Sequence, residues 1–483
     1  MAFNHMRLRI APSPTGPIHV GTAHTMLFNW LWARKQGATF ILRLEDTDVQ
    51  RSELRHEQTV INEMRWLGLD WQEGPDIGGP SGPYKQTQRM ELYQEYFERL
   101  KTRQMIYPCY CTSEELEEER RHANQAKIPY KYSRKCLNLS QSERESKEIS
   151  GRIPCWRLMV PENQIIAYDD LIRGHIEFSS NVISDPVLIR PTGMPLYNFA
   201  VVVDDASMEI THVIRGEDHI SNTPIQLLIY QALSLEPPQF AHCANLLTVE
   251  RKKASKRKGD LSVTSYRKQG ILPEALFNYL ALLGWTPEGE GRDLLTREEI
   301  IHEFDISEVS RAAAVFDEEK LKWMNGVYLR HKTQEEFAEL ALPFLIQANL
   351  TTEEEIRTRW SWFVELMAQV QERVRTLAEI PSYVDFCFQE VIYDEQAMQN
   401  LLTIEHREFL HRVATVLKKV DWNVPSIEQA VRGLLHEPAS QLKAGKALLA
   451  LRFAISGRTV SPPLFESIYL LGYQKVENRL TKL

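Results

Sequence analysis

The stretch from Arg7 to Asp48, RLRIAPSPTGPIHVGTAHTMLFNWLWARKQGATFILRLEDTD, constrains the chain more than any other. Leu8 and Ile10 lie in a short apolar run, and a loop rich in Pro and Gly follows from Ala11 to Gly21. Ala23, Leu27, Trp30 and Leu31 then recur at helical spacing, and Gly37 is placed to end that helix. Phe40, Ile41, Leu42 and Leu44 form a second apolar run. Strand, helix, strand over this length is a βαβ unit, so the two strands are expected to be parallel.

The chemistry-bearing residues sit at the joints of that unit. In an open parallel sheet, ligands bind in the crevice beyond the carboxyl ends of the strands. Arg9 lies near that end of the first strand, and Glu45 and Asp46 near that end of the second. His19 and Gly21 stand where the loop runs into the helix, whose free N–H groups suit a phosphate. A cation, a carboxylate and a phosphate cradle converge on one sheet edge. A solvated strand end and a rigid proline turn do not account for that combination.

Two motifs carry a resemblance to a known family. Pro12-Ser13-Pro14-Thr15-Gly16 followed by His19-Val20-Gly21-Thr22, with Arg43-Leu44-Glu45-Asp46-Thr47-Asp48 behind it, resembles the first signature of class I aminoacyl-tRNA synthetases, the HIGH element, in its glutamyl form. Far downstream, Lys253-Ala254-Ser255-Lys256-Arg257 resembles the second signature, KMSKS, within a dense basic run from Arg251 to Lys258. Ala254 replaces the usual larger apolar residue and removes no charged group. Tyr197 to Asp205 and Thr211 to His219 resemble two further blocks of the glutamyl enzymes.

The resemblance implies ATP-dependent ligation of L-glutamate to tRNA(Glu) through a glutamyl-adenylate, with Mg²⁺ on the leaving pyrophosphate. It implies catalytic roles for His19, Gly21, Lys253, Ser255 and Lys256, and ATP contacts from Thr15, His19, Gly21, Lys256 and Arg257. Arg9, Ser13, Glu45, Tyr197 and Arg215 would hold glutamate. The chemistry fits these residue types. Attack of a carboxylate on the α-phosphorus needs no protein nucleophile, only positioning and stabilised phosphate charge. No GxxxxGK[ST] motif occurs, so the ATP site is not of the P-loop kind. Two arginines at strand ends suit a substrate carboxylate, which is selected over an amide by full charge and bidentate geometry. The competing structural role is an Arg215 paired only with Asp204, Asp205 or Glu217.

Composition sets the frame. A chain of 483 residues exceeds one hydrophobic core, so several domains are expected. No apolar run spans a membrane, and the N-terminus lacks a signal-peptide core. Six cysteines do not suggest a disulfide scaffold, which points to the cytoplasm. A net charge of −8 neither suggests nor excludes a nucleic-acid partner, because phosphate contacts depend on local Lys and Arg clusters. A monomer follows from family habit alone.

The remaining chain reads as follows. Residues 49–105 alternate amphipathic helices with Gly-Pro breaks. Residues 106–189 depart from the βα rhythm and bring Cys109, Cys111 and Cys136, a soft set suited to zinc. The fourth ligand is open between Tyr132, the type seen in shorter paralogues, and His122; Asn138 stands where some glutamyl enzymes have a His. Reduced, partly buried cysteines without metal are the alternative. Tyr197 to Val203 reads as a buried strand, Ile210 to Ile214 as another, and Leu227 to Leu235 as a helix. Beyond Gly326 the pattern is helical, with Phe363, Leu366, Met367, Val370, Val374 and Leu377 in one stripe and Phe409, Val413, Val416, Leu417 and Val420 in another.

The expected architecture is α/β: a Rossmann-type class I catalytic domain (1–105 and 190–245) with an inserted acceptor-end-binding domain (106–189). A KMSKS and stem-contact region (246–325) and an all-α anticodon-binding domain (326–483) follow. Within the last, the resemblance sets Arg373 against an arginine that reads the anticodon; an exposed helical arginine is the alternative. The runner-up enzyme, a paralogue that glutamylates a modified base of tRNA(Asp), lacks an anticodon domain, and the helical continuation to Leu483 counts against it. A synthetase-derived binding protein would be expected to lose the charged signature residues, which are present here.

Overall fold

The βαβ unit forms where its apolar spacing requires. Strand β1 (Arg7–Ile10), helix α1 (Val20–Lys35) and strand β2 (Thr39–Leu42) follow one another, and the strands pair in parallel from Arg7 with Thr39 to Ile10 with Leu42. This computed structural model describes residues 5–47, 54–252, 261–436 and 442–483. The chain divides into two compact units, Met1–Ser265 with Leu276–Asp317, and Tyr266–Ala275 with Glu318–Leu483.

Within the first unit, β1 and β2 belong to a sheet of order β2-β1-β8-β9-β5-β6. Its other members are β5 (Ile165–Asp170), β6 (Gly174–Ser179), β8 (His212–Gly216) and β9 (Gln239–Cys243). Neighbours are parallel except β5 with β6. A smaller antiparallel sheet joins β3 (Ile106–Cys109), β4 (Cys155–Leu158) and β7 (Val187–Ile189). Helices α2 (Leu54–Trp66), α3 (Met90–Thr102), α4 (Ser113–Gln125) and α5 (Gln141–Ile149) occupy the connections between β2 and β4. Helices α6 (Tyr197–Ser207) and α7 (Thr223–Leu233) flank β8 in sequence. The run from β1 through α1 winds outward to β2, while β8 through α7 winds the other way to β9. The sheet therefore has its topological switch point between β1 and β8, where doubly wound folds open a crevice.

Helix α1 is apolar on nearly every side. Val20, Ala23, Met26, Leu27, Phe28, Trp30 and Leu31 are all buried, as expected of a helix enclosed rather than laid on a surface. Phe28 meets Phe304, and Trp30 meets Phe277 edge-on.

The strand expected over Tyr197 to Val203 is instead the first part of helix α6. Phe199 to Val203 are all buried, in one cluster with Tyr93 and Phe97 of α3 and Leu228, Ile229 and Tyr230 of α7. A continuous apolar run fits a buried helix as well as a buried strand, and enclosure overrides the strand preference of three valines. The consequence is that Asp204 and Asp205 lie in the last turn of a buried helix, not beyond a strand end.

The second unit contains only helices and turns among the described residues. Asn325 pins three segments of it. Its Oδ1 accepts from Leu272 N at 2.8 Å, and its Nδ2 donates to the carbonyls of Arg375 at 2.6 Å and Gly270 at 3.2 Å. Gly270 has φ +78°, and a Cβ there would stand 2.5 Å from that of Leu377. The stripe from Phe363 breaks earlier than its spacing suggests. The helix is Trp360–Gln371, so Val374 and Leu377 reach the core from the turn that follows. No helix among the described residues is long and apolar enough to cross a membrane.

His24, inside α1, bonds the Leu283 carbonyl at 2.6 Å, and burial pushes its pKa down to about 4. The unfolded chain, at the ordinary 6.5, binds this proton first, so the stability His24 confers is whole above pH 6.5 and is lost as pH falls toward 4. Acidification from pH 7 to 5 should cost the protein about 2 kcal/mol more than it costs His24→Leu, which has no proton to gain. Chemical denaturation at both pH values measures the difference, and an equal loss in the two proteins would contradict it.

Candidate active site

A cleft of about 540 Å³ lies beyond the carboxyl ends of β1, β2, β8 and β9, over the switch point. Arg9 and Ser13 line it from β1 and its loop, His19 and Gly21 from the start of α1, Glu45 from beyond β2, Tyr197 from α6 and Arg215 from β8. These residues, expected to act together, do share one cavity. Thr15 stands outside its wall. Lys253, Ser255, Lys256 and Arg257 fall outside the described residues.

The two arginines are held differently. Arg9 donates from Nε to Asp205 Oδ1 at 3.2 Å. Asp205 also accepts from Arg43 Nη1 at 2.6 Å, and Arg43, wholly buried, reaches Glu45 at 3.5 Å. Asp204 takes Arg89 Nε at 2.7 Å, Gln86 Nε2 at 2.8 Å and the Tyr93 hydroxyl at 2.9 Å. Arg215 has neutral partners instead: His242 Nε2 at 3.1 Å, Gln226 Oε1 at 2.9 Å and Thr223 Oγ1 at 2.7 Å. The expected competitor, pairing with Asp204, Asp205 or Glu217, does not occur. Glu217 instead receives Arg173 at 2.6 Å and the Asn245 side chain at 2.7 Å. Burial holds the Arg215 guanidinium below its ordinary pKa, with Arg9 acting in the same direction. The site therefore contains a buried positive charge with no carboxylate bonded to it among the described residues.

Burial pushes Glu45 up to about 7, although Arg43 and Arg9 pull against it. A cationic group entering beside it would restore its charge. The Tyr197 hydroxyl lies 3.0 Å from His219 Nδ1. Burial raises Tyr197 to about 12, and burial with Arg215 and Arg9 lowers His219 to about 4, so both are neutral near pH 7.

Helix α1 opens on His19, whose Nδ1 accepts from Gly21 N at 3.2 Å, and its first turn has no acidic residue. Its positive end is thus available to an anion. The backbone here is tied to the residues just after the second signature. Val20 N donates to Leu261 O at 2.9 Å and Val263 N to Ile18 O at 2.9 Å. Glu63 of α2 clamps both strands of this bridge, accepting Ile18 N at 2.6 Å on one oxygen and Thr264 N at 2.8 Å on the other.

The cysteines cluster away from the cleft. Cys109, Cys111 and Cys136 place their sulfurs within 4.8 Å of one another. The Tyr132 hydroxyl is 3.3 Å from both Cys109 Sγ and Cys111 Sγ. Sulfurs around a tetrahedral zinc, with Zn–S of about 2.3 Å, lie about 3.8 Å apart, so this donor set fits the ion. Hydrogen bonds from Cys111, Cys136 and Cys155 pull the Cys109 thiol down, and the same contacts, with burial, push Cys111, Cys155 and Tyr132 up, so the cluster shares its protons around one thiolate. His122 is exposed on α4 and stays outside the cluster, and Asn138 is exposed in the turn beyond Cys136. Arg373 is exposed in the turn after helix Trp360–Gln371.

Several functional candidates were not evident from sequence. Asn222, Asn245 and Leu246 line the cleft from α7 and the loop after β9. Asp170, His242, Thr223 and Gln226 surround Arg215 from behind. These residues come from two strands, a helix and a loop, with no shared sequence spacing, so only the fold brings them together.

The family described as tRNA synthetases class I (E and Q), catalytic domain, matches residues 5–323, and an anticodon binding domain matches residues 336–483. The glutamate–tRNA ligase of Symbiobacterium thermophilum is 53% identical over 98% of this chain and 99% of its own. That of Moorella thermoacetica is 44% identical over 99% of this chain and 98% of its own. Among solved structures, a glutamate tRNA ligase from Elizabethkingia meningosepticum, in complex with its amino acid, superposes with a TM-score of 0.87 at 30% identity, covering 99% of both chains.

Glu63→Gln leaves one acceptor where two oxygens now serve opposite strands of the bridge, and turns an N–H toward another donor. It is expected to cost about 1–3 kcal/mol of unfolding free energy. A denaturation midpoint equal to that of the parent would show that the clamp is dispensable.

Proposed function

The chain belongs to the glutamate–tRNA ligase family of class I tRNA synthetases, and from that we propose how its cleft carries out the reaction. The enzyme attaches L-glutamate to tRNA(Glu) at the expense of ATP, through a glutamyl-adenylate, releasing AMP and pyrophosphate. The observation that carries our reading of the site is the buried Arg215, bonded only to neutral groups, beside Arg9. A side-chain carboxylate there completes the charge balance; a glutamine amide does not. Tyr197 adds a hydroxyl donor, and Glu45 takes the substrate ammonium, which draws it back to its charged form. Ser13 closes the amino-acid end.

ATP lies along the start of α1. His19 and Gly21 face its phosphates, with Thr15 on the adjoining loop, and Mg²⁺, when bound, would offset the charge on the leaving pyrophosphate. Lys253, Ser255, Lys256 and Arg257 supply the second half of the phosphate site. Support for this comes from their flanks, since Leu261 and Val263 are bonded to the start of α1. No protein nucleophile is required, and rate comes from alignment and from charge stabilised as pyrophosphate departs.

Residues 1–105 and 190–245 act as the catalytic domain, 106–189 grip the acceptor end, 246–325 contact the stem, and 326–483 read the anticodon, with Arg373 as one reader. Cys109, Cys111, Cys136 and Tyr132 would hold zinc, which supplies structural cross-linking there and no catalytic step. The protein works as a monomer in the cytoplasm, a compartment suited to its six free thiols.

Incubation with radiolabelled glutamate, ATP and Mg²⁺ on purified tRNA(Glu), tRNA(Gln) and tRNA(Asp) in parallel tests the activity. Charging of tRNA(Glu) is expected. Added charging of tRNA(Gln) would keep the enzyme and discard Arg373 as a discriminator, and charging of tRNA(Asp) alone would overturn the assignment. Elemental analysis tests the metal. Protein purified without chelator is expected to hold about one zinc per chain, to lose it in Cys136→Ser and to keep it in Cys155→Ser, in line with the four-donor site. Metal-free parent protein would contradict this.

A further inference from the structure

Arg215 is itself held from behind by a buried pair that no catalytic step requires. Asp170 ends β5, His242 lies on β9 directly opposite Arg215 in register, and both are buried. Asp170 Oδ2 lies 2.6 Å from His242 Nδ1, and Arg215 Nε lies 3.1 Å from His242 Nε2. We infer that the Asp170–His242 pair is a specificity device. It fixes the imidazole tautomer that accepts from Arg215, and so aims the guanidinium at the substrate's side-chain carboxylate. This rests on the reading of Arg215 as the carboxylate-binding residue.

Each hydrogen bond in the chain has one workable direction. The Arg215 Nε–H can only donate, so His242 Nε2 must be the bare, accepting nitrogen. The proton then sits on Nδ1 and points at Asp170. Thr223 Oγ1 accepts from Arg215 Nη2 at 2.7 Å and lies 3.1 Å from both the His219 carbonyl and His242 Nε2; its single proton can go to either acceptor, and in both cases Nε2 stays bare. The imidazole is neutral. Burial, with Arg215 acting the same way, outweighs Asp170 and keeps it below the ordinary histidine value. A doubly protonated ring would set donor against donor and charge against charge.

Asp170 has no freedom to reverse this pattern. Its Oδ1 accepts three backbone N–H groups, from Arg173 at 2.8 Å, Ile172 at 3.0 Å and His242 at 3.2 Å. Asp170→Asn must keep its carbonyl oxygen on those three. Its amide N–H₂ is then left facing His242 Nδ1. The histidine must give up its Nδ1 proton to accept, and the remaining proton moves to Nε2, against the Arg215 donor. An isosteric change two bonds from Arg215 therefore withdraws the acceptor that orients it. In His242→Gln, by contrast, the carboxamide oxygen takes the place of Nε2 and accepts from Arg215 with no tautomer to set.

Steady-state aminoacylation with the four variants Asp170→Asn, His242→Gln, their combination and Arg215→Ala tests this. Asp170→Asn is expected to raise KM for glutamate at least tenfold while KM for ATP moves less than twofold. Whatever His242→Gln itself costs, adding Asp170→Asn to it is expected to raise KM for glutamate less than twofold further. If Asp170→Asn raises KM as much in the His242→Gln background as in the parent, Asp170 acts through the fold and not through the tautomer, and the inference fails. An unchanged glutamate KM in Asp170→Asn overturns it as well. If Asp170→Asn does not fold, the His242→Gln pair still decides. Arg215→Ala separates the two levels. No effect there on glutamate KM sinks the carboxylate-site reading itself, whereas a large effect with a silent Asp170→Asn sinks only this one.

Discussion

The site depends on two adjacent carboxylates at the end of a buried helix. Asp204 and Asp205 leave α6 in a core otherwise built from aromatic and aliphatic side chains. Buried charge of this kind is tolerated when opposite charge and hydrogen-bond donors are placed against it. Here the pairing is done by Arg89, Arg9 and Arg43, together with Gln86 and the Tyr93 hydroxyl. The same contacts that satisfy α6 also set Arg9 at the mouth of β1 and steady Glu45 through Arg43. Such a network adds little net stability for its cost in desolvation, and replacing one partner would strand the others. Its value lies in fixing geometry at the sheet edge.

Arg215 stands apart from that network, and in the proposed reading of the site this contrast is the basis of selectivity. Arg9 spends one face on Asp205, while Arg215 is bonded to a histidine, an amide and a hydroxyl. A buried guanidinium left with neutral partners attracts a carboxylate far more than an amide, because the incoming charge removes a desolvation cost already present. On the proposed reading, selection of glutamate over glutamine then needs no steric filter. At the start of α1, a backbone bridge ties residues 18–20 to residues 261–263, far apart in sequence.

Much of this was legible in the chain itself. The βαβ spacing located the parallel strands, and the rule that ligands gather at strand carboxyl ends picked out Arg9, Glu45 and Arg215 before any fold was seen. What misled was periodicity. Ala200 to Val203 is as apolar as a buried strand, and only enclosure between α3 and α7 makes it a helix. Asp170 and His242 were invisible for another reason: they lie 72 residues apart on different strands, with no motif to join them. The cysteine cluster was half legible. Its thiols were marked by spacing, but the choice of Tyr132 over His122 needed the loop that folds the phenol onto the sulfurs.

A crystal structure of the protein with glutamate bound, in the absence of ATP, tests the central claim most directly. The account predicts the substrate's side-chain carboxylate within hydrogen-bonding distance of the Arg215 guanidinium, its other oxygen toward Arg9, and the ammonium at Glu45. An α-carboxylate in that position, or a substrate that leaves Arg215 bonded only to His242, Gln226 and Thr223, would contradict it.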